Sequence, residues 1–227
     1  MKVVILAAGT GSRLGKNALP KSLTPLVDGK PILEHQLEAL GKYVSLDDVI
    51  VVVGFMKERI MDLFPDLLYV YNPLFAITNT SKSLLMALNK VNEAVLWLNG
   101  DVVFHPSVLK NVLENPRTSM VVNVGAVGEE EVKYRCNGEG RILEVSKQVE
   151  NPQGEALGIN YCSAADLPLL RQCLNRCENH DYFEKGVEFA IEQGMAVWSV
   201  PVEHDRCTEV DFPEDLARAN AMLIGWE

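Results

Sequence analysis

Three short runs dominate the first hundred residues: Val3-Val4-Ile5-Leu6, DVIVVV at 48–53 and AVLWL at 94–98. None alternates apolar with polar residues. A strand with one face in water must alternate, so these runs belong to strands buried on both faces. Parallel strands need long crossovers, and helical patterns fill the gaps. Pro31 opens a helix through Leu40, with Ile32, Leu33, Leu37 and Leu40 on one face. A short helix is expected around Lys57–Leu63, a third strand over Leu67–Tyr71, and a helix capped by Thr80 or Ser81 that runs to Val91. The pattern predicts an α/β fold: a single Rossmann-like domain over 1–227, with a mostly parallel sheet covered by helices on both faces.

The second half reads differently. Ser119–Val127 is expected as a strand. VKYRC-NGEG-RILEVSK then reads as a hairpin turning at Asn137–Gly140. Strands at Ala156–Ser163 and Ala196–Val202 flank helices near 164–178 and 181–193, and Pro213 starts a last helix with Glu214 and Asp215 in its first turn. The stretch near 128–160 is thus a small β-rich insertion that could fold over one end of the sheet.

Composition narrows the functional classes. No stretch has eighteen consecutive apolar residues, so no membrane insertion is expected. MKVVILAAG has one basic residue and too short an apolar stretch for a secretory signal. Five irregularly spaced cysteines suggest reduced thiols and a cytoplasmic location. Cys173 and Cys177 are four apart on a helix, but no second pair or spaced histidine completes a zinc site. His35, His105, His180 and His204 show no triad or ligand pattern and read as surface or capping residues. The net charge of −10 argues against nucleic acid as a partner. Residues 1–30 nevertheless carry five cations against Asp28 alone, a local +4 that leaves −14 for the remainder. A basic N-terminal loop on an acidic chain suits a small anion. The chain is compatible with a homo-oligomeric state.

That loop follows the first strand: Ala7-Ala8-Gly9-Thr10-Gly11-Ser12-Arg13, then Pro20-Lys21. Gly9 and Gly11 let backbone N–H groups close around a phosphate. The dinucleotide fingerprint fails, because its third glycine and the acidic residue about twenty positions on are both missing. The P-loop pattern fails as well, lacking Gly-Lys-Ser/Thr at its spacing. What remains is a glycine nest with a guanidinium and an ammonium close by. Such fixed charge suits a polyphosphate that gains charge as it reacts.

The stretch resembles the signature L-A-A/G-G-x-G-[ST]-R-L…P-K of the nucleotidyltransferases that activate sugar phosphates and small alcohol phosphates. The gap between Arg13 and Pro20 is shorter than in many of the sugar enzymes. The resemblance implies that Leu6, Ala8, Gly9, Thr10, Gly11 and Ser12 bind the nucleotide, and that Arg13 and Lys21 act on its phosphates.

Asp101, at the end of the AVLWL strand in Asn99-Gly100-Asp101, stands where open α/β sheets place ligands. Asp211, in Thr208-Glu209-Val210-Asp211-Phe212-Pro213, reads on its own as a helix cap. The family carries one aspartate after the central strand and another in an E-[VI]-D-x-x-x-D-L segment, and together they hold Mg²⁺. The matching segment here is EVDFPEDL, which implies Asp101 and Asp211 as metal ligands, with Asp215 a first-turn residue. Lys147 ends the hairpin at the family's acceptor-phosphate lysine, although its flanks are Ser-Lys-Gln rather than E-K-P.

Residues 72–84, NPLFAITNTSKSL, read either as turn and cap residues or as a nucleotide contact. They are similar to the T/Y-N-x-x-x-S-L segment of the phosphocholine cytidylyltransferase branch, which implies Asn79 and Ser83 on the nucleotide and CTP as donor. The Q-P-x-G-x-A segment of hexose-phosphate enzymes is missing. Gly158-Ile159-Asn160 resembles the family's G-[IV]-x stretch and offers Asn160 for the acceptor. A quaternary ammonium would want aromatic faces, Tyr182 among the aromatics available, though most of these suit a core. An aminoalkylphosphonate would want a carboxylate such as Asp181 or Glu184, and an inositol phosphate several hydrogen-bonding side chains.

The expected partners are a nucleoside triphosphate and a small phosphorylated or phosphonate acceptor of phosphocholine, aminoethylphosphonate or inositol phosphate type. The expected chemistry is attack of the acceptor oxygen on the α-phosphorus, with pyrophosphate leaving and Mg²⁺ as cofactor. Two other readings stay open: a hexose or heptose phosphate enzyme using UTP or GTP, and a non-catalytic nucleotide binder.

Overall fold

The computed structural model describes residues 1–11, 19–125 and 127–226. The apolar runs form the middle of one sheet. β1 (Lys2–Ala7) pairs in parallel with β2 (Val49–Val53) and with β4 (Val95–Asn99), and β2 pairs in parallel with β3 (Leu68–Tyr71). Strands β1 and β2 are buried almost throughout, as their unbroken apolar sequence requires. Successive side chains face opposite ways. Val4 and Leu6 enter one core with helices α3 (Thr80–Leu88), α5 (Leu167–Arg176) and α6 (Phe183–Glu192). Val3, Ile5 and Ala7 enter the other with α1 (Ile32–Leu40), α2 (Lys57–Leu63) and α4 (Ser107–Glu114). Truncating a buried leucine in either core costs about 2–5 kcal/mol.

The full order is β10-β6-β9-β4-β1-β2-β3, where β6 is Ser119–Val122, β9 is Gly154–Cys162 and β10 is Trp198–Pro201. β6 and β10 are parallel, and β9 runs antiparallel between β4 and β6. The expected hairpin forms as β7 (Lys133–Cys136) and β8 (Ile142–Ser146), and the start of β9 pairs with β7 before the strand enters the main sheet. No helix among the described residues is long and apolar enough to cross a membrane. All five cysteines are free thiols.

Some expectations needed correction. β6 ends at Val122 rather than Val127. The Asn123 side chain caps the ladder by accepting from the Glu155 N–H and donating to its carboxylate. Two three-residue strands, β5 (Val102–Phe104) and β11 (Cys207–Glu209), form an unforeseen antiparallel pair. Helix α7 (Pro213–Gly225) follows β11 and packs Ala219 beside Val103, Val210, Leu26 and Ile32 in a third small core.

Two glycines let the strand exits crowd together. A Cβ on Gly54 would stand 2.6 Å from the Ala8 carbonyl, and one on Gly100 2.8 Å from that of Leu6. The exits of β1, β2 and β4 thus lie side by side, with Asp101 directly beyond them.

Candidate active site

A cleft of about 640 Å³ opens above these exits. Its floor is the end of β1 and the glycine turn, where Gly11 adopts φ +62°. Leu6, Ala8, Gly9 and Gly11 line it, and Thr10 is exposed between the two glycines. Ser12 and Arg13, both expected here, lie outside the described residues.

Lys21 returns to the cleft on a single 3-10 turn, its stem against Gly11. Its Nζ donates to Asp101 Oδ2 at 2.9 Å and also to Asp211 Oδ1. Burial works against the charge of this ammonium, but the two carboxylates outweigh it and raise its pKa above the ordinary lysine value. The aspartates are 110 positions apart in sequence, and the β5–β11 ladder joins them. Glu209 pairs with Val102, and the Val210 N–H donates to the Asp101 carbonyl at 3.0 Å. Asp211 does not cap a helix. The loop it stands on is fixed by Asp215, whose Oδ2 accepts from the N–H groups of Asp211 (3.0 Å) and Phe212 (2.8 Å). Arg218 holds Asp215 in turn and donates to Thr208 Oγ1 at 2.9 Å.

Asn79 and Ser83 lie along the adjacent wall. Asn79 caps α3 through the Thr80 N–H, and Ser83 accepts from Asn72 at 3.0 Å. Asn79, rather than the expected Thr80 or Ser81, is thus the cap of α3 and also part of the cleft lining.

Lys147, Tyr182 and Glu184 also line the cleft, with the start of α6 beside that of α3, where the Phe183 N–H donates to Thr80 Oγ1 at 3.0 Å. The Lys147 ammonium lies 5.1 Å from the Tyr182 ring centre and 3.3 Å from Glu130 Oε2. Glu184, in the first turn of α6, is only 7% exposed, and its Oε2 has no hydrogen-bond partner among the described residues. Burial pushes this carboxyl up to about 7, against the pull of a backbone hydrogen bond and of Lys147.

Asn160 does not join them. It pairs with Trp97 and Met120 in mid-sheet, 1% exposed, and neither side-chain amide atom has a hydrogen-bond partner among the described residues. Because β9 runs antiparallel to β4, its beginning reaches the cleft and its later residues retreat from it. The side chain placed there is Glu155, which the sequence reading missed. Burial, with nearby Glu131, pushes Glu155 up to about 7 against its hydrogen bond from Asn123. Glu209 was missed as well. Burial, Asp101 and Glu155 hold it well above the usual carboxylate range, and its Oε1 accepts from Asn99 at 3.1 Å. Strand parity could have found Glu209, two residues before Asp211. Nothing local singles out Glu155.

A family profile described as the MobA-like NTP transferase domain matches residues 3–176, which takes in the glycine turn, Asp101 and Lys147. The chain belongs to this family. A CMP-5'-(3-aminopropyl)phosphonate synthase from Streptomyces rubellomurinus is 40% identical over 129 residues, 53% of this chain and 20% of that protein. The bifunctional protein GlmU of Methanococcus maripaludis is 31% identical over 196 residues, 82% of this chain and 44% of that one. The chain thus spans from a fifth to under half the length of these curated relatives. Among solved structures, a CTP:phosphocholine cytidylyltransferase from Streptococcus pneumoniae superposes with a TM-score of 0.80 at 19% identity, covering 98% of both chains. An inositol-1-phosphate CTP transferase from T. maritima also gives 0.80, at 20% identity, covering 99% of this chain and 96% of that one. These likenesses bear out the α/β fold read from the apolar runs.

Proposed function

We propose that this MobA-like domain transfers CMP from CTP to a small phosphate or phosphonate acceptor that carries an amine. The carrying observation is the meeting of Lys21, Asp101 and Asp211 beside the glycine turn. An acceptor oxygen forms the new bond to the α-phosphorus, the α–β bridge bond breaks, and pyrophosphate leaves with the electron pair. The loop amides and Lys21 hold the phosphates in line, and Arg13 joins them. Lys147 orients the acceptor phosphate. No covalent intermediate on the protein is needed.

Two carboxylate oxygens already facing one cation are a donor set suited to Mg²⁺, which favours hard oxygens and keeps several waters. Asp101 and Asp211 would hold it, and when bound it supplies charge neutralisation at the triphosphate. The amine is assigned from Glu184, a buried carboxylate whose Oε2 has no bonded partner among the described residues, in a cleft that Tyr182 also lines. The 40% identical relative, whose name gives an aminopropylphosphonate product, supports the same acceptor class.

A second reading, transfer from UTP or GTP to a hexose phosphate, draws on the 31% identity to GlmU over most of this chain. Pyrophosphate release, measured with each nucleoside triphosphate, Mg²⁺ and a panel of acceptors, separates the readings. Release with CTP and an aminoalkylphosphonate or phosphocholine is expected. Release only with UTP or GTP and a sugar phosphate overturns it in favour of the second, and no release with any pair leaves a nucleotide binder.

A further inference from the structure

The Lys21 ammonium occupies the place where the two aspartates converge. It reaches Asp101 Oδ2 at 2.9 Å and hydrogen-bonds Asp211 Oδ1 at the same time. The lysine side chain is 17% exposed, against 21% for Asp101 and 32% for Asp211, so the contact is partly shielded from water. A divalent cation bound to the same two oxygens would have them at about 2.0–2.1 Å. The ammonium and the metal ion therefore cannot share the position, by volume or by charge. The lysine stem packs on Gly11, where a Cβ would stand 2.9 Å from Lys21 Cγ. Turning the outer stem alone would move Nζ off the carboxylates.

We propose that Lys21 is a built-in counter-cation that blocks the aspartate pair until a metal–nucleotide complex arrives, and then exchanges partners. This rests on the assignment of Asp101 and Asp211 as metal ligands. The incoming metal takes the carboxylates and the released ammonium takes the triphosphate, so that each cation gains an anion as it loses one. A metal ion alone offers Lys21 no new partner and must break two ion pairs to enter. The nucleotide alone draws Lys21 away and takes that ammonium's positive charge from the two carboxylates, which then face the charge of the nucleotide. Metal and nucleotide consequently bind as a unit, and free metal is held out.

The test is Mn²⁺ binding to the full chain, read from the loss of the free-ion electron paramagnetic resonance signal. Lys21→Met keeps the stem and removes the charge, and Lys21→Gln serves as a second variant. Without nucleotide, both should bind Mn²⁺ at least about tenfold more tightly than the wild type, since a unit positive charge is gone from the site. Adding Asp101→Asn to either should abolish the gain. With CTP present the difference from wild type should shrink to about threefold or less, because the ammonium has then already moved. The wild type offers a check that involves no substitution. Saturating Mn²⁺ should raise the labelling of Lys21 by an amine-acylating reagent, read by peptide mass spectrometry.

Equal Mn²⁺ affinity in wild type and variants, or unchanged Lys21 labelling, overturns the exchange. If Asp101→Asn still weakens Mn²⁺ binding in the CTP complex, the metal assignment survives that result. If Asp101→Asn changes Mn²⁺ binding in no state, the assignment falls and the exchange with it.

Discussion

The two ends of the cleft handle charge in opposite ways. At the glycine turn, Asp101 and Asp211 face a lysine and each ionic group has a counter-charge. At the other end Glu184 is buried, and among the described residues it makes no ion pair. Burying a carboxylate without a counter-ion is costly, so such groups persist where a ligand can supply the missing charge. The balanced end is where the proposed transfer would take place. The unbalanced end is where the proposed acceptor would sit.

Removing a group from the balanced end should have the largest effect. Asp101→Ala is expected to lower pyrophosphate release by about a thousandfold or more while leaving the circular dichroism spectrum unchanged. Near-normal turnover would show that the pairing with Lys21 is structural only.

A change at the unbalanced end should be selective. Glu184→Gln should raise KM for an amine-bearing acceptor by roughly 10–100-fold and leave KM for CTP within about twofold, as expected for a lost buried ion pair with substrate. Equal losses for amine-bearing and amine-free acceptors would place the amine elsewhere.

The same residue marks the pH dependence of stability. Its folded pKa of about 7 lies above the unfolded 4.5, so the folded chain binds the extra proton between those values. Stability therefore falls as pH rises from about 4.5 to about 7, and the loss is complete above that, about 3 kcal/mol for this group alone. Urea titrations at pH 5 and pH 8 should show Glu184→Gln gaining on the wild type at the higher pH. No change in the gap would mean that Glu184 titrates like an exposed carboxyl.

A smaller effect is expected next to the balanced end. Asp215→Ala frees the N–H groups of Asp211 and Phe212 and the guanidinium of Arg218. It should lower kcat by about tenfold and stability by about 1 kcal/mol, the size of a lost cap. An unchanged kcat with reduced stability would make Asp215 a helix cap and nothing more.

The difference between the two ends also explains what could be read from the sequence. The glycine turn, Lys21 and Asp101 are local features of strand exits, and apolar runs announce such exits. Helix α1 was equally open, because Ile32, Leu33, Leu37 and Leu40 repeat at helical spacing and are all buried. Asp211 needed the family pattern, since its position depends on β5 and β11, three-residue strands too short to show any period. Glu155 was invisible because an antiparallel β9 inside a mostly parallel sheet reverses which end of the strand meets the cleft. Asn160 was misplaced for the same reason. Side chains that owe their position to a neighbour far along the chain leave no local trace.

The β5–β11 ladder has a consequence for the making of the protein. It closes a loop of about a hundred residues, and Asn99 and Glu209, hydrogen-bonded across it, are 110 positions apart. During translation the N-terminal half can pair β1, β2 and β4 well before Asp211 leaves the ribosome. A nascent chain can therefore hold these three strands paired while the place beside Lys21 and Asp101 still waits for Asp211.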